Sequence, residues 1–175
     1  DGVMVPKLAT EIPTVDNGGV SEDLLTITWN LKEGVQWSDG SDFTAADVVF
    51  TYEYCTNEAT GCTSAEAFEG VTSVEAVDDL TFAITTGGPF PPLPGVMKFS
   101  WPLQKKALEE HGPFYNNSLD THVSSGPFML DEFDPGTRIV FKANPHYTGY
   151  RKPLLNKIEI IYMSRDTMFA AFQNG

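Results

Sequence analysis

The chain has 175 residues, of which 41% are hydrophobic and 20% charged, a composition typical of a folded globular protein and unlike that of disordered or fibrous chains. Its 11 Lys and Arg residues stand against 24 Asp and Glu, and the formal net charge of -13 repels phosphate backbones and anionic lipids, which argues against nucleic-acid binding. No apolar run approaches the ~18 residues of a membrane span, and the start at Asp1 lacks the regions of a signal peptide, so we expect any export signal to have been removed.

The first predicted strand covers residues 25–31, where apolar and polar side chains alternate strictly. Because successive side chains on a strand point to opposite faces, the apolar ones share a face that can be buried. The alternation resumes after Gly34 and stops at Asp39-Gly40, a pair typical of turns. We therefore expect a half-buried strand followed by a tight turn.

A helix is predicted directly after Thr44. The Thr44 hydroxyl can accept a hydrogen bond from the amide three residues on, where Asp47 complements the positive end of the helix. Because the hydroxyl satisfies an orphan amide and the carboxylate only adds to it, we expect Thr44→Ala to cost up to ~2 kcal/mol and Asp47→Ala about 0.5–1 kcal/mol. The residues expected to face the core are Ala45, Val48, Val49 and Tyr52.

Two cysteines, Cys55 and Cys62, flank a polar stretch that contains a glycine. Such a stretch can close into a ring, and for so small a ring a disulfide would add roughly 2–3 kcal/mol if the geometry permits the bond. Two free thiols are the alternative, and at this point the residues leave both readings open.

The later elements mix strands and helices without a regular βαβ order, and no internal repeat is present. The class is therefore mixed α and β. In chain order the pattern predicts a hairpin of residues 71–77 and 80–85 around Asp78-Asp79, a Gly- and Pro-rich loop at 87–95, a helix at 103–111 stopped by Gly112, strands at 128–131, 138–142 and 157–163, and a helix from Ser164 or Asp166 to Asn174.

The sequence contains no common catalytic or cofactor motif. A nucleophile elbow, a phosphate-binding loop, a zinc-protease helix and a dinucleotide-binding turn are all missing. The histidines His111, His122 and His146 are scattered without metal-ligand spacing. We therefore assign no catalytic residue, no metal and no cofactor.

The stretch from Leu31 to Phe50 resembles the signature of the family-5 extracellular solute-binding proteins of ABC importers, the oligopeptide-, dipeptide- and nickel-binding type. The family pattern is L-[RK]-x-G-V-x-[WF]-x-[DN]-G followed by [FV]-T-A-x-D-V-V-[FY]. Further blocks occur in the family's order and extend the resemblance from about Pro6 to the end of the chain: residues 74–82, 125–128, 135–147, 155–158 and 170–175.

This resemblance implies a periplasmic-binding-protein-like fold of type II, present in part as one lobe plus part of the hinge-proximal lobe. Residues 1–120 would form the smaller α/β lobe. Residues 121–175 would begin the return into the main lobe, truncated at the C-terminus. It also implies an extracytoplasmic location, in the periplasm or on the outer face of the cytoplasmic membrane, as a lipoprotein or soluble receptor.

The function implied is that of the substrate-binding component of an ABC importer. Such a protein captures peptides, nickel complexes or sugars and delivers them to the permease subunits, and it meets the membrane only through a removed lipid anchor or that permease. The alternative is a solute sensor or accessory chaperone with the same fold, and a hydrolytic enzyme comes last. An oxidising location favours a disulfide between Cys55 and Cys62, although the common family pattern has no such pair.

Candidate ligand contacts follow only from the resemblance. Ser125, Gly126, Pro127 and Phe128 correspond to the segment where the family chain crosses back between lobes near the cleft. The alternative for them is a Gly-Pro turn that merely reverses the chain. Phe68 follows the loop that approaches the ligand in peptide binders, and its alternative is a core aromatic residue.

Overall fold

The computed structural model of the chain describes residues 5–89, 102–113, 118–149 and 151–174. Within them two three-stranded antiparallel sheets and three α-helices are found, so the predicted mixed α and β class is confirmed. The strands of the first sheet, in the order β1-β3-β2, are β1 (Thr26–Asn30), β2 (Val71–Ala76) and β3 (Thr81–Thr86). Those of the second, in the order β4-β5-β6, are β4 (Phe128–Asp134), β5 (Arg138–Ala143) and β6 (Lys157–Ile161). The helices are α1 (Ala45–Thr56), α2 (Lys105–His111) and α3 (Arg165–Asn174).

The first sheet and α1 share one hydrophobic core. Alternation along the strands places Ile27 opposite Ile84 and Trp29 opposite Phe82 in the β1–β3 pair. Ile84 is fully buried, and burying such a side chain contributes about 1.5–3 kcal/mol. The predicted first strand, hairpin and core face of α1 are thereby confirmed. The buried cluster consists of Leu31, Val35, Trp37, Phe43, Ala45, Val48, Val74, Phe82 and Ile84, with Val49 and Tyr52 packed against it.

Asp47 is a buried hub between α1, the preceding turn and α2. One carboxylate oxygen accepts hydrogen bonds from the Trp37 indole and the Thr44 amide, both at 3.1 Å, and the other accepts the Lys105 amide at 3.0 Å. The residue is only 6% exposed. We therefore expect the two stability losses to rank in the opposite order, because the carboxylate accepts one buried and two part-buried donors from three parts of the chain and does more than assist a helix cap.

Helix α2 begins at Lys105, two residues later than the sequence predicts from 103. The Leu103 amide donates to the Thr51 hydroxyl at 2.9 Å, and the Lys105 amide donates to Asp47. These contacts hold the start of α2 against α1 and satisfy amides at its N-terminal end that have no partner within the helix. The predicted stop at Gly112 is confirmed, since Gly112 has a φ of +78° and its amide closes on the Leu108 carbonyl at 2.9 Å.

The second sheet follows the predicted strands, except that β4 extends to Asp134 by pairing with Arg138 and β6 ends at Ile161, two residues earlier than predicted. Gly136, at a φ of +77°, makes the turn between β4 and β5. Val140 on the central strand is fully buried. In contrast, many large apolar side chains from residue 154 onward are exposed: Leu154, Leu155, Ile160, Ile161, Tyr162, Met163, Met168, Phe169 and Phe172.

A disulfide joins Cys55 and Cys62, as predicted, with the two Cα atoms 4.9 Å apart. The ring it closes is shaped by its polar residues. The Asn57 side chain accepts the Ala59 amide at 3.0 Å, and Gly61 adopts a left-handed φ of +64°. Both features bend the chain back after α1, which brings the second cysteine to the first.

Part of the predicted loop at 87–95 lies outside the described residues, from residue 90 onward. Among the helices in the described ranges, none combines the length and apolar character needed to cross a membrane.

Candidate ligand-binding site

A cavity of about 590 Å³ lies where the first sheet meets the beginning of the second. This volume is typical of pockets that hold small molecules. Its walls come from the N-terminal segment, from β1 and the residues after it, and from two segments that flank β4 and β5. Those walls include Leu8, Ile12, Trp29, Leu31, Val35, Phe43, Phe82, Ser125, Gly126, Pro127, Tyr147, Thr148 and Gly149.

The N-terminal wall is fastened along the edge of β1. Ala9 forms a β-bridge with Leu31, and the Lys32 amide donates to the Leu8 carbonyl at 2.9 Å. The Lys32 ammonium donates to the carbonyls of Pro6 and Lys7, at 3.1 and 3.0 Å. These contacts cover the edge strand and fix residues 6–9 as one side of the cavity.

The charges on the cavity wall are positive, although the chain as a whole is acidic. Lys7 and Lys32 line the cavity, and among the residues that the structure describes no Asp, Glu, His or Cys does. Across the described ranges, no cluster of three or more metal-ligating side chains occurs. The Trp29 indole N–H is buried without a hydrogen-bond partner among the described residues. The wall is therefore suited to an apolar group and to hydrogen-bond acceptors, and poorly suited to a metal ion.

The turn after β1 holds the segment that enters β4. The Ser38 amide donates to the Ser124 carbonyl at 2.8 Å, and the Ser124 amide donates to the Ser38 hydroxyl at 3.0 Å. Ser38 is buried, so this reciprocal pair is shielded from water. Upstream of this pair, burial lowers the pKa of His122, so its imidazole is neutral at pH 7.

The same turn holds the start of α2. The side-chain Nε2 of the buried Gln104 donates to the Asp39 carboxylate at 3.1 Å and to the Ser41 hydroxyl at 2.8 Å. Partial burial alone would raise the pKa of Asp39, but hydrogen bonds from Ser41 and Gln104 and the charge of Lys106 outweigh it and leave that pKa below its usual value. Asp39 therefore stays an acceptor at neutral pH.

Gly40 allows this turn to approach the turn that follows β5. It has a φ of +84°, and a Cβ placed there would lie 3.1 Å from the His146 ring, whose Nδ1 is 3.4 Å from the Gln36 side-chain oxygen. No side chain other than hydrogen fits this backbone without strain.

We expect Gly40→Ala to lower the free energy of unfolding by about 2 kcal/mol, through left-handed strain and crowding against His146. Gly34→Ala is the matched control, since Gly34 has a φ of +69° with nothing within 4 Å of its added Cβ, and should lose only about 1 kcal/mol. Urea unfolding measures both. Equal losses would contradict a close approach of His146, and adding His146→Ala should remove the difference.

The structure separates the predicted ligand contacts into two groups. Ser125, Gly126 and Pro127 line the cavity. Phe128 begins β4 behind them, and its carbonyl accepts the Ser124 hydroxyl at 3.4 Å. Phe68 lies apart from the cavity, buried with its ring 5.5 Å from that of Tyr52. Their role as contacts stays a prediction.

Sequence reasoning missed the cavity residues Trp29, Lys32 and Tyr147. Trp29 and Lys32 lie in or beside the first strand, where alternation assigns residues only to a face. Tyr147 belongs to the block Asn144–Tyr147 that carries part of the family resemblance, which was the one signal that could have found it.

Comparison with known proteins gives a consistent result. The chain matches the model of the bacterial extracellular solute-binding proteins, family 5 Middle, over residues 3–175. The dipeptide-binding protein of Lactococcus lactis subsp. cremoris is 30% identical over 149 residues, 73% of this chain and 27% of that protein. The ABC transporter substrate binding protein CtaP of Listeria monocytogenes superposes with a TM-score of 0.79 at 29% identity, over 97% of this chain and 34% of CtaP.

A nickel-complex binder has the same fold. NikZ of Campylobacter jejuni, solved in complex with Ni(L-His), superposes with a TM-score of 0.80 at 26% identity, over 97% of this chain and 33% of NikZ. The chain spans roughly a third or less of the length of these relatives.

Proposed function

Because the chain belongs to the family-5 bacterial extracellular solute-binding proteins, we propose that it is part of the substrate-binding component of an ABC importer. In this role the protein captures peptides outside the membrane and passes them to the permease subunits, and it is a binding module and not an enzyme. The observation that carries the proposal is the cavity between the two sheets, whose wall includes Ser125, Gly126 and Pro127.

A peptide fits this cavity better than a nickel complex does. In the described part of the chain the wall is mainly apolar, its charged groups are Lys7 and Lys32, and it presents no carboxylate, imidazole or thiol. Apolar peptide side chains can fill such a space, and peptide carbonyls or a carboxylate can accept from the ammonium groups. The fold alone does not choose between these ligands, since NikZ shares it. The similarity to the dipeptide-binding protein of Lactococcus lactis supports a peptide as the ligand.

We also propose that residues 1–120 belong to the smaller lobe and that 121–175 begin the return into the main lobe. Each sheet falls within one of these ranges. The exposed apolar side chains of β6 and α3, such as Phe169 at 63% and Phe172 at 86%, are the kind of surface that further parts of a longer protein cover.

The disulfide supports an extracytoplasmic location, either in the periplasm or on the outer face of the cytoplasmic membrane, because stable disulfides form in oxidising compartments.

The proposal is tested by ligand screening on the full-length protein. Peptides of two to five residues should raise its melting temperature, since binding to the folded state stabilises it by RT ln(1 + [L]/Kd). Calorimetric titration should then give a Kd for the best peptide. We expect Ser125→Phe, which narrows the cavity, to weaken that Kd at least tenfold.

Asp78→Ala is the control, because Asp78 is absent from the cavity wall and its carboxylate serves the β2–β3 turn, where it accepts the Leu80 amide at 2.8 Å and hydrogen bonds from Thr81. It should leave the peptide Kd unchanged. Binding of a nickel–histidine complex in place of every peptide would contradict the proposed ligand, and hydrolysis of the bound peptide would contradict a binding role.

A further inference from the structure

We infer that Asn144 is a positioning residue, which holds the Ser125–Pro127 wall of the cavity in the shape that receives the ligand. Asn144 does not line the cavity itself. It acts through the two segments that do, Ser125–Pro127 before β4 and Tyr147–Gly149 after β5. Its predicted effect on affinity rests on the proposed function, whereas its effect on the wall does not.

Asn144 makes hydrogen bonds to both segments from a buried position. Its side-chain Nδ2 donates to the Gly126 carbonyl and its backbone amide donates to the Pro127 carbonyl, each at 2.9 Å. Its side-chain Oδ1 accepts the His146 amide at 2.9 Å, and its carbonyl accepts the Tyr147 amide at 3.2 Å. Asn144 itself is only 4% exposed, whereas its side-chain bonds to Gly126 and His146 are part-buried.

The chemistry of this position requires a primary amide on a short side chain. The Gly126 carbonyl needs a donor and the His146 amide needs an acceptor. These two partners also determine the orientation of the Asn144 side-chain amide, with Nδ2 toward Gly126 and Oδ1 toward His146. An aspartate at position 144 keeps the acceptor for the His146 amide, but its second oxygen faces the Gly126 carbonyl, and two acceptors cannot form a hydrogen bond with each other. Alanine supplies neither group.

The wall has few other ways to hold its shape. Pro127 has no amide to donate, and Gly126 has the widest conformational freedom of any residue. One end of the segment is fixed by Ser38 through Ser124, and Asn144 fixes the other end. A wall ordered before the ligand arrives spares the ligand the cost of ordering it, so loosening it weakens binding even where no direct contact is lost.

The first test measures the wall directly in the absence of ligand. Amide hydrogen exchange of the peptide covering residues 124–129 should be at least tenfold faster in Asn144→Asp than in the parent, with exchange in β1 and β3 unchanged. Asp78→Ala is the control for general loss of stability and should not speed exchange at 124–129. Asn144→Asp is chosen because it keeps the acceptor for His146 and the size of the side chain, and Asn144→Ser is the second variant if the first does not fold.

The second test measures affinity for the best peptide of the parent by calorimetry. We expect a Kd at least tenfold weaker for Asn144→Asp and unchanged for Asp78→Ala. Parent-like exchange at 124–129 in the folded variant would overturn the inference, and so would accelerated exchange with an unchanged Kd. If the parent binds no peptide, the proposed function fails, and the exchange result alone decides whether Asn144 holds the wall.

Discussion

Replacing Asp47 by alanine should lower the free energy of unfolding by about 3 kcal/mol, because it leaves one buried and two part-buried donors without their acceptor, and a buried orphan costs about 1–3 kcal/mol. The donors are the Trp37 indole and the amides of Thr44 and Lys105. They come from the turn, the start of α1 and the start of α2, so the loss should also release α2. Urea unfolding followed by tryptophan fluorescence measures the change.

Two variants from the same stretch of sequence calibrate this result. Asp42 is exposed and accepts only the Gln36 side chain at 3.3 Å, so Asp42→Ala should cost no more than about 0.5 kcal/mol. Thr44→Ala removes a cap residue and should cost about 1 kcal/mol. If Asp47→Ala cost no more than Thr44→Ala, the carboxylate would be a simple helix cap and its role as a hub would be wrong.

Reducing the Cys55–Cys62 disulfide should lower the free energy of unfolding by about 2.5 kcal/mol, the chain-entropy value for so small a ring. The bond removes freedom mainly from the unfolded chain, so the folded state should keep its structure. We propose urea unfolding of the parent with and without dithiothreitol. The double variant Cys55→Ala and Cys62→Ala should be destabilised already, and dithiothreitol should leave its stability unchanged.

Thiol titration provides a separate check on this pairing. The parent, denatured without a reductant, should show no free thiol, and it should show both after reduction. Two titratable thiols before reduction would contradict the disulfide. They would also weaken the argument for an extracytoplasmic location, since stable disulfides form in oxidising compartments.

The stretch that carries the family resemblance serves mainly as a structural junction in this protein. Ser38 binds the segment that enters β4, Asp39 binds Gln104, and Asp47 binds the start of α2. Gln36 and Gly40 meet His146 in the turn after β5. This explains why the motif identifies the family, whose membership the family match confirms, without naming a ligand.

The sequence by itself determined the local structure. Alternation predicted β1 and the β2–β3 hairpin, Thr44 marked the start of α1, and Gly112 marked the end of α2. Polar residues and a glycine between Cys55 and Cys62 predicted a ring that could close. These features depend on neighbours within a few residues, and such short-range preferences of backbone and side chain can be read directly from the order of residues.

Only the tertiary structure decided which distant groups meet. Asp47 bonds to Lys105, 58 positions along the chain, and Ser38 bonds to Ser124, 86 positions along. Asn144 closes on Gly126 across β4 and β5, and the cavity exists only because these segments converge. No local pattern encodes such pairs. The sequence around a carboxylate near a helix start, or around a side-chain amide after a strand, is the same whether that group faces water or a buried partner. For this reason we expect the ranking of Thr44 and Asp47 to differ from the one that the sequence alone predicts: the energy of a polar side chain depends on burial and partners, which are set by the packing of the whole chain.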